Sequence, residues 1–390
     1  MISVEAARAA LFELVSPLDV ETVPLRAAAG RVLARDVHAQ RAQPPFDASS
    51  MDGYALRRAD ATAGAKLSVI GEAAAGHAFQ GSVCSGEAVR IFTGAPLPEG
   101  ADTVVIQENA QRDGQVVILT QAQNAKDNIR PAAGDFAKGA TLAAPLLLRP
   151  VDIALLAAMN VAEVPVTRKP RVAVLATGDE LVQPGEHPRA DQIVASNSYG
   201  LAAMLEAMGA EVSLLPIAKD TAASLRQAFQ LAAQADLILT IGGASVGDHD
   251  LVAPVAAEMG LQSSFYKVAM RPGKPLMAGR MGRAAMIGLP GNPVSALVCG
   301  TVFVRPVLRK MLGLGEAPPP TRAAPLGTGI APNGPRAHYM RAHVENGTLF
   351  PHGQQDSSLL HVLAQSDALL IRPVADQARE AGEICHYIPL

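Results

Sequence analysis

Asp236-Leu237-Ile238-Leu239-Thr240-Ile241-Gly242-Gly243, running on as Ala244-Ser245-Val246-Gly247-Asp248-His249-Asp250, is the stretch whose reading decides the fold. Its first part is a short apolar run with the length and the glycine boundary of a buried strand, and its second part is a polar loop. Upstream, a strand Arg171–Ala176 leads through a loop to a helix Ser198–Met208 closed by Gly209, a strand Glu211–Ile217 and a helix Ala222–Gln234. This alternation predicts a mostly parallel sheet. Downstream, a β ribbon around Phe265–Met281 precedes a strand Ala284–Leu289, which enters Pro290-Gly291-Asn292-Pro293 and a helix from Val294, with Asn292 as N-cap and Pro293 at its first position.

The unit from Lys169 to about Leu312 is therefore expected to be an α/β domain that binds a phosphorylated, anionic small molecule. In open parallel sheets ligands bind beyond the carboxyl ends of the strands, where this chain carries Thr177-Gly178-Asp179-Glu180, Gly242–Asp250 and Pro290–Ser295. Glycines admit backbone N–H groups to phosphate oxygens, and the helix after Asn292 adds its unpaired N–H groups and positive dipole end. Glycine loops alone would equally be plain βα turns. The loop Arg271-Pro272-Gly273-Lys274-Pro275 shifts the balance, because two cations in a rigid frame, expected to lie near the acidic loop of Asp248 and Asp250, suit phosphate plus a divalent metal. The spacing of a Walker A loop is missing. Glu180 and Asp250 are candidates for Mg²⁺ or for orienting a water, Asp179 reads rather as a cap, and Asp220 has the position of an N-cap for the following helix.

Outward from this unit, an amphipathic N-terminal helix and a segment Val23–Ala39 are broken by Pro44-Pro45-Phe46-Asp47. Short β-type runs follow at Leu67–Ile70, Ala88–Ile91, Thr103–Ile106 and Gln115–Leu119, before helical spacing returns at Pro145–Asn160 and an extended piece at Val161–Val166. The expected organisation is a two-lobed α+β module over 1–168 with a β-rich lobe inserted at 44–133, the α/β domain over 169–315, and a small β domain over 316–390 after the linker Pro318-Pro319-Pro320.

Composition narrows the function classes. With 49% hydrophobic and 18% charged residues the 390-residue chain reads as globular, and a net charge of −3 supplies no bulk footprint for nucleic acid or an anionic membrane. Met1–Pro17 mixes Glu5, Arg8 and Glu13 into its apolar period, unlike a signal peptide, and runs such as Ala296–Val304 fall far short of the roughly 20 residues of a membrane helix. Cys84, Cys299 and Cys385 lie far apart, which suits a reducing cytosol better than a zinc site or a disulfide framework. The nine histidines show no ligand spacing, and His338 with His343 reads as surface.

Pro44–Asp47 with Ser50-Met51-Asp52-Gly53-Tyr54-Ala55, Thr93-Gly94-Ala95-Pro96, Thr177–Leu181, Gly242-Gly243 through Asp250, Arg271–Pro275 and Gly288–Ser295 together resemble the molybdopterin molybdenumtransferase (MoeA) family, in the family's order and over nearly the whole chain. The resemblance implies a two-lobed N-terminal module, a central domain like the molybdopterin adenylyltransferase fold and a C-terminal β barrel. It implies a homodimer in which the Met51-Asp52-Gly53-Tyr54 lobe of one subunit faces the central domain of the other. The implied reaction takes adenylated molybdopterin (molybdopterin-AMP) and molybdate as substrates, splits the phosphoanhydride with Mg²⁺, releases AMP and leaves molybdenum on the dithiolene sulfurs.

Carried over residue by residue, the resemblance implies catalytic roles for Asp52, Asp135, Glu180, Asp220 and Asp250, with Glu180 and Asp250 as Mg²⁺ ligands. Ligand-binding roles fall on Thr93, Gly242, Gly243, Ser245, Lys267, Arg271, Lys274, Pro290, Gly291, Asn292, Pro293, Ser295, Arg341 and Ser357. Arg271 stands where the family often has lysine, Gly134 precedes Asp135 where a glutamate is usual, and Gln354–Ser358 matches the C-terminal motif loosely. The expectation is a cytoplasmic molybdenum insertase, with molybdoenzymes or other cofactor-biosynthesis proteins as partners and neither nucleic acid nor membrane among them. Two rivals remain: the adenylyltransferase step, and a non-catalytic scaffold of the gephyrin kind.

Overall fold

In the computed structural model, which describes residues 1–123, 126–243 and 251–390, the parallel strands predicted around Asp236–Ile241 lie at the centre of the molecule. Six strands, β1 (Arg171–Ala176), β2 (Glu211–Leu214), β3 (Leu237–Ile241), β4 (Leu261–Tyr266), β5 (Met277–Met281) and β6 (Ala284–Leu289), form one sheet in the order β2-β1-β3-β6-β5-β4. The first four in that order are parallel, with Val172 opposite Leu237 and Leu237 opposite Ala285. The ribbon β4-β5 is added antiparallel at the edge. β3 and β6 are buried at every position, as a sheet covered on both faces requires.

The two covering layers are distinct. Helices Ala222–Leu231 and Val252–Glu258 bury one face through Leu225, Phe229 and Val255. Helices Asn197–Ala207, Pro293–Cys299 and Arg305–Met311 bury the other, through Leu201, Leu205, Val298 and Leu308. Each fully buried aliphatic side chain of this kind contributes about 1.5–3 kcal/mol. The helix after Asn292 does not run on unbroken: Gly300–Val304 forms a π turn, where a Cβ at Gly300 would lie 2.8 Å from Leu201 Cδ2. The strand expected to reach Ile217 ends at Leu214, and the helix expected to reach Gln234 ends at Leu231.

The start of the chain belongs to this second layer. Ser3 caps the helix Val4–Phe12 by accepting from the Ala6 N–H, and Val4, Ala7 and Leu11 enter the same core. Lys310 Nζ donates to the Phe12 carbonyl at 2.7 Å. The chain then builds a four-stranded sheet from Val20–Pro24, Glu163–Thr167, Val32–Leu33 and Leu146–Leu147, with its own core at Leu33, Leu156 and Val164. Between Leu33 and Leu146 it leaves to form a six-stranded sheet whose central strands are Gly53–Leu56, Glu87–Ile91 and Lys66–Ala73.

The C-terminal strands Arg322–Pro325, Ala337–Glu345, Thr348–Pro351, Ala368–Arg372 and Ile384–Pro389 form a sheet that also takes in the pair Met270–Arg271 from the central unit. Its ladders follow an open path among the described residues, with an isolated bridge between Leu326 and Leu349. Among the described residues no helix is long and apolar enough to cross a membrane.

Candidate functional site

β1, β3 and β6 end side by side, and a cleft of about 590 Å³ opens beyond their carboxyl ends. Thr177, Glu180, Gly242 and the run Pro290–Pro293 line it. The turns leaving the strands are tied to one another: the Thr177 N–H donates to the Ile241 carbonyl at 3.0 Å and the Gly242 N–H to the Leu289 carbonyl at 3.1 Å. Gly242 has φ +88°, and a Cβ there would lie 2.9 Å from the Thr177 carbonyl oxygen, so glycine is required for the loops to meet. Asn197 Nδ2 donates to the Gly291 carbonyl at 2.6 Å and closes the far wall.

The acidic loop after β1 is shaped around its carboxylate. Gly178 has φ +146°, and a Cβ there would fall 2.3 Å from Glu180 Oε2. Asp179 does not cap a helix: its Oδ1 accepts from the Asp220 N–H at 3.3 Å, which joins the two acidic loops. Nor is Asp220 the N-cap of the next helix, because Thr221 holds that position and accepts from the Ser224 N–H at 3.3 Å. Capping chemistry at this strand end is supplied by the Thr221 hydroxyl.

The helix start after Asn292 is engaged in part, where the sequence led us to expect a cradle of unpaired N–H groups. Asn292 does hold the N-cap position, but its side chain makes no cap; Nδ2 donates to Ser357 Oγ at 3.0 Å. Pro293 has no N–H, and the Val294 N–H donates to the Ser357 carbonyl at 3.1 Å. Ser358, beside this link, completes the rim of the cleft. Ser295 is buried within the helix and does not line the cleft.

Of the Arg271–Pro275 loop, Pro275 lines the cleft. Arg271 and Lys274 are exposed on a loop held by the Val268 N–H, which donates to the Lys274 carbonyl at 3.0 Å. Gly273, at φ +107°, lies so close to Cys299 that a Cβ would be 2.4 Å from Sγ. Burial pushes that thiol far above its ordinary range, so Cys299 is a neutral packing group. Lys267, with φ +70°, keeps its Nζ over the Tyr266 ring at 5.0 Å. Arg341 is fully buried: Nε donates to Gln355 Oε1 at 3.3 Å and Nη1 to the Asp356 carbonyl at 2.7 Å, so this guanidinium organises the loop that carries Ser357. His338, read from sequence as surface, is 8% exposed.

Asp52, Thr93 and Asp135 lie elsewhere, in and beside the inserted lobe. Asp52 Oδ1 accepts from both the Thr93 N–H and the Thr93 hydroxyl, each at 2.8 Å. These bonds, the backbone one first, hold the Asp52 carboxyl below its ordinary value, with Arg90 adding to the effect. Gly53 beside it allows the strand to pass within 1.9 Å, for a notional Cβ, of the Val105 carbonyl oxygen. Asp135 is exposed, with its N–H donated to the Gln43 carbonyl at 2.9 Å. None of the three lines the strand-end cleft of its own chain.

Ser245 and Asp250 lie outside the described residues, while Gly243 is described with φ +61°. Among the described residues no group of three or more His, Cys, Asp or Glu side chains could hold a metal ion. Residue-level reading passed over Ser196, Asn197 and Ser198, which line the cleft opposite Gly291. The signal was present: a polar Ser196-Asn197-Ser198 word opens the first helix after β1, at the same sheet edge as the glycine loops.

Three family models match along the chain: "MoeA N-terminal region (domain I and II)" over residues 2–160, "Probable molybdopterin binding domain" over 173–310 and "MoeA C-terminal region (domain IV)" over 323–390. A molybdopterin molybdenumtransferase of Haemophilus influenzae is 40% identical over 318 residues, 80% of this chain and 78% of that protein. Molybdopterin molybdenumtransferase 2 of Mycobacterium tuberculosis is 37% identical over 389 residues, 96% of each chain. The crystal structure of a molybdopterin biosynthesis MoeA protein from Pyrococcus horikoshii superposes with a TM-score of 0.86 at 28% identity, covering 100% of both chains.

Proposed function

Since this chain belongs to the MoeA family of molybdopterin molybdenumtransferases, we propose that its strand-end cleft is where molybdate-derived molybdenum enters adenylated molybdopterin with release of AMP. The chain is a molybdenum insertase of molybdenum cofactor biosynthesis. One observation carries the placement of the reaction: the cleft of about 590 Å³ brings Glu180, Gly242 and Pro290–Pro293 to one edge of the parallel sheet. Backbone groups of Gly242, Gly243 and Gly291 receive the pterin phosphate, while Arg271, Lys274 and Lys267 attract the anionic substrates toward the rim.

The donor set at this edge is one of hard oxygens, which suits Mg²⁺. Glu180, with Asp250 of the glycine loop, would hold the ion, which would offset the charge of the phosphoanhydride. Asp220 orients the attacking water, and the Asp179–Asp220 link keeps its loop beside β1. Asn292 and Ser357 fix the C-terminal unit, a curled β barrel in this reading, against the start of the helix.

Asp52 and Thr93 do not line the cleft of their own chain, which supports a homodimer in which the inserted lobe of one copy completes the cleft of the other. Asp135 borders the same lobe. The setting is the cytosol, where the product passes to molybdoenzymes or to other proteins of the pathway.

Purified protein incubated with adenylated molybdopterin, molybdate and Mg²⁺ is expected to release AMP and to yield a product that reconstitutes a molybdoenzyme. ATP-dependent adenylation of molybdopterin in place of AMP release would identify the adenylyltransferase step instead. Absence of both reactions would leave a scaffold.

A further inference from the structure

A second cavity, of about 340 Å³, opens where three parts of the chain meet, and it shares no lining residue with the strand-end cleft. Leu148 comes from the core beside the four-stranded sheet, Met208 from the end of helix Asn197–Ala207, Pro306 from helix Arg305–Met311 and Pro319 from the linker that follows. Helix Asn197–Ala207 reaches both sites: Asn197 lines the cleft, while Ala207, at the other end of the helix and about 15 Å away, lines this cavity. Its volume lies at the small end of the range that holds a small molecule, roughly 300–1,000 Å³.

The wall is mostly apolar, yet two arginines break into it. Arg305 and Arg309, one turn apart on the same helix, both line the cavity and are half-buried. The other cations here are engaged: Arg149 pairs with Asp152 at 3.0 Å, and Lys310 with Glu316 at 2.6 Å and with the Phe12 carbonyl at 2.7 Å. Among the described residues neither Arg305 nor Arg309 has a hydrogen-bond acceptor or an ion-pair partner for its guanidinium. Burial, followed by the charge of Arg309, disfavours the charged form of Arg305, and no carboxylate offsets this. Like charges four residues apart on a helix repel. The negative end of the helix favours Arg309 in its last turn, whereas Arg305 stands in the first. Two cations partly withdrawn from water, without an acceptor and set in an apolar wall, match a ligand with an anionic head and an apolar body.

We propose that this cavity binds an amphiphilic anion, its carboxylate or phosphate head held between the guanidinium groups of Arg305 and Arg309 and its apolar body lying against Leu148, Met208 and Pro306. The site is independent of the reaction assigned to the strand-end cleft. A carboxylate and a phosphate monoester both present acceptor oxygens and differ in charge, so the same apolar chain carried on each separates the two.

The test is methionine methyl NMR and calorimetry on the full chain, titrated separately with octanoate, octyl phosphate and, as the uncharged control, octan-1-ol, with Met208→Leu assigning the resonance. Octanoate or octyl phosphate is expected to saturate one site and to move the Met208 methyl, and octanol to bind about tenfold or more weakly. Arg305→Gln and Arg309→Gln are each expected to weaken binding of the anion by about tenfold or more. An unmoved Met208 methyl with both anions overturns the proposal, as does equal binding of octanol or unchanged affinity in both folded variants. Failure of both anions to bind, together with a changed oligomeric state in the Arg305→Gln/Arg309→Gln protein, overturns it in favour of a second copy of this chain as the partner of the two arginines. If Arg305→Gln does not fold, Arg309→Gln and the Met208 resonance decide.

Discussion

Asp52 and Thr93, 41 residues apart, meet through two hydrogen bonds of 2.8 Å on a single carboxylate oxygen, leaving the other oxygen outside this clamp. The arrangement holds an ionised carboxylate in one orientation on a lobe that does not border its own chain's cleft. Asp52→Asn keeps the size of the side chain while removing its charge. The expected outcome is a loss of AMP release by about 100-fold or more, with a thermal midpoint close to that of the unchanged protein. Mixing Asp52→Asn with Glu180→Gln protein should restore part of the activity through mixed dimers, because each dimer then keeps one intact pairing of lobe and cleft. No recovery on mixing would count against the shared site.

The same clamp has a pH signature. Since Thr93 holds the Asp52 carboxyl below its ordinary value of 3.8, the folded state binds this proton less readily than the unfolded chain. Its stabilising effect is therefore present above the unfolded value and is lost as pH falls through the depressed folded value. Thr93→Val removes the hydroxyl donor but keeps the backbone one. Carbon-detected NMR titration should show Asp52 titrating below 3.8 in the unchanged protein and moving upward, though not fully, in Thr93→Val.

Glu180 depends on the absence of a side chain two residues before it. At Gly178, φ +146° is strained for any L residue, and the added methyl would lie 2.3 Å from the Glu180 carboxylate. Gly178→Ala is expected to cost about 1–3 kcal/mol of stability and to raise the Mg²⁺ concentration needed for half-maximal rate. In a Glu180→Ala background the steric part disappears and the backbone part remains, so the stability loss should shrink without vanishing. Denaturant unfolding of the four proteins measures this directly.

How much of this could be read beforehand varies with the range of the interaction. β3 and its Gly242-Gly243 boundary were legible because a short, largely apolar run ending in two glycines has few alternatives, while residues 244–250 of that loop lie outside the described residues. The meeting of Asn292 with Ser357 was not, since it spans 65 residues and replaces the local cap that Asn292 and Pro293 suggest by themselves. Asp52 would have been only an Asp-Gly turn without the family's surrounding words, because its partner Thr93 is distant in sequence. His338 was misread for another reason. Its strand, Ala337–Glu345, has neighbours on both faces, burying His338, Tyr339 and Arg341 alike, so no alternation marks an inward side.

The Asn292–Ser357 contact joins the helix start to the C-terminal unit, supported by the buried Arg341 through Gln355. Asn292→Ala removes the side-chain donor while the Val294 N–H keeps its bond to the Ser357 carbonyl. Stability should fall by about 0.5–1.5 kcal/mol, with a rise in KM for the pterin larger than the fall in kcat. Arg341→Met should be far more damaging, since it leaves the Asp356 carbonyl without its buried donor and Gln355 Oε1 with the backbone N–H of residue 341 alone. Hydrogen exchange at residues 355–359 would separate the two, with fast exchange expected only in Arg341→Met.

Gly273 and Cys299 set the height of the loop that carries Arg271 and Lys274. A methyl at Gly273 would sit 2.4 Å from the buried Sγ, and φ +107° opposes any side chain at that position. Two separable penalties therefore act on Gly273→Ala, one steric and one conformational, together about 2–4 kcal/mol. Cys299→Ala alone opens a small void and should cost about 1 kcal/mol. In the double variant the void receives the methyl, so the combined loss should be smaller than the sum of the two by about 1 kcal/mol, leaving the conformational part. Because the same loop runs on to Pro275, which lines the cleft, KM for molybdate should follow the same order, highest in Gly273→Ala and partly restored in the double variant. Additive stability losses would show that the thiol and the loop move independently.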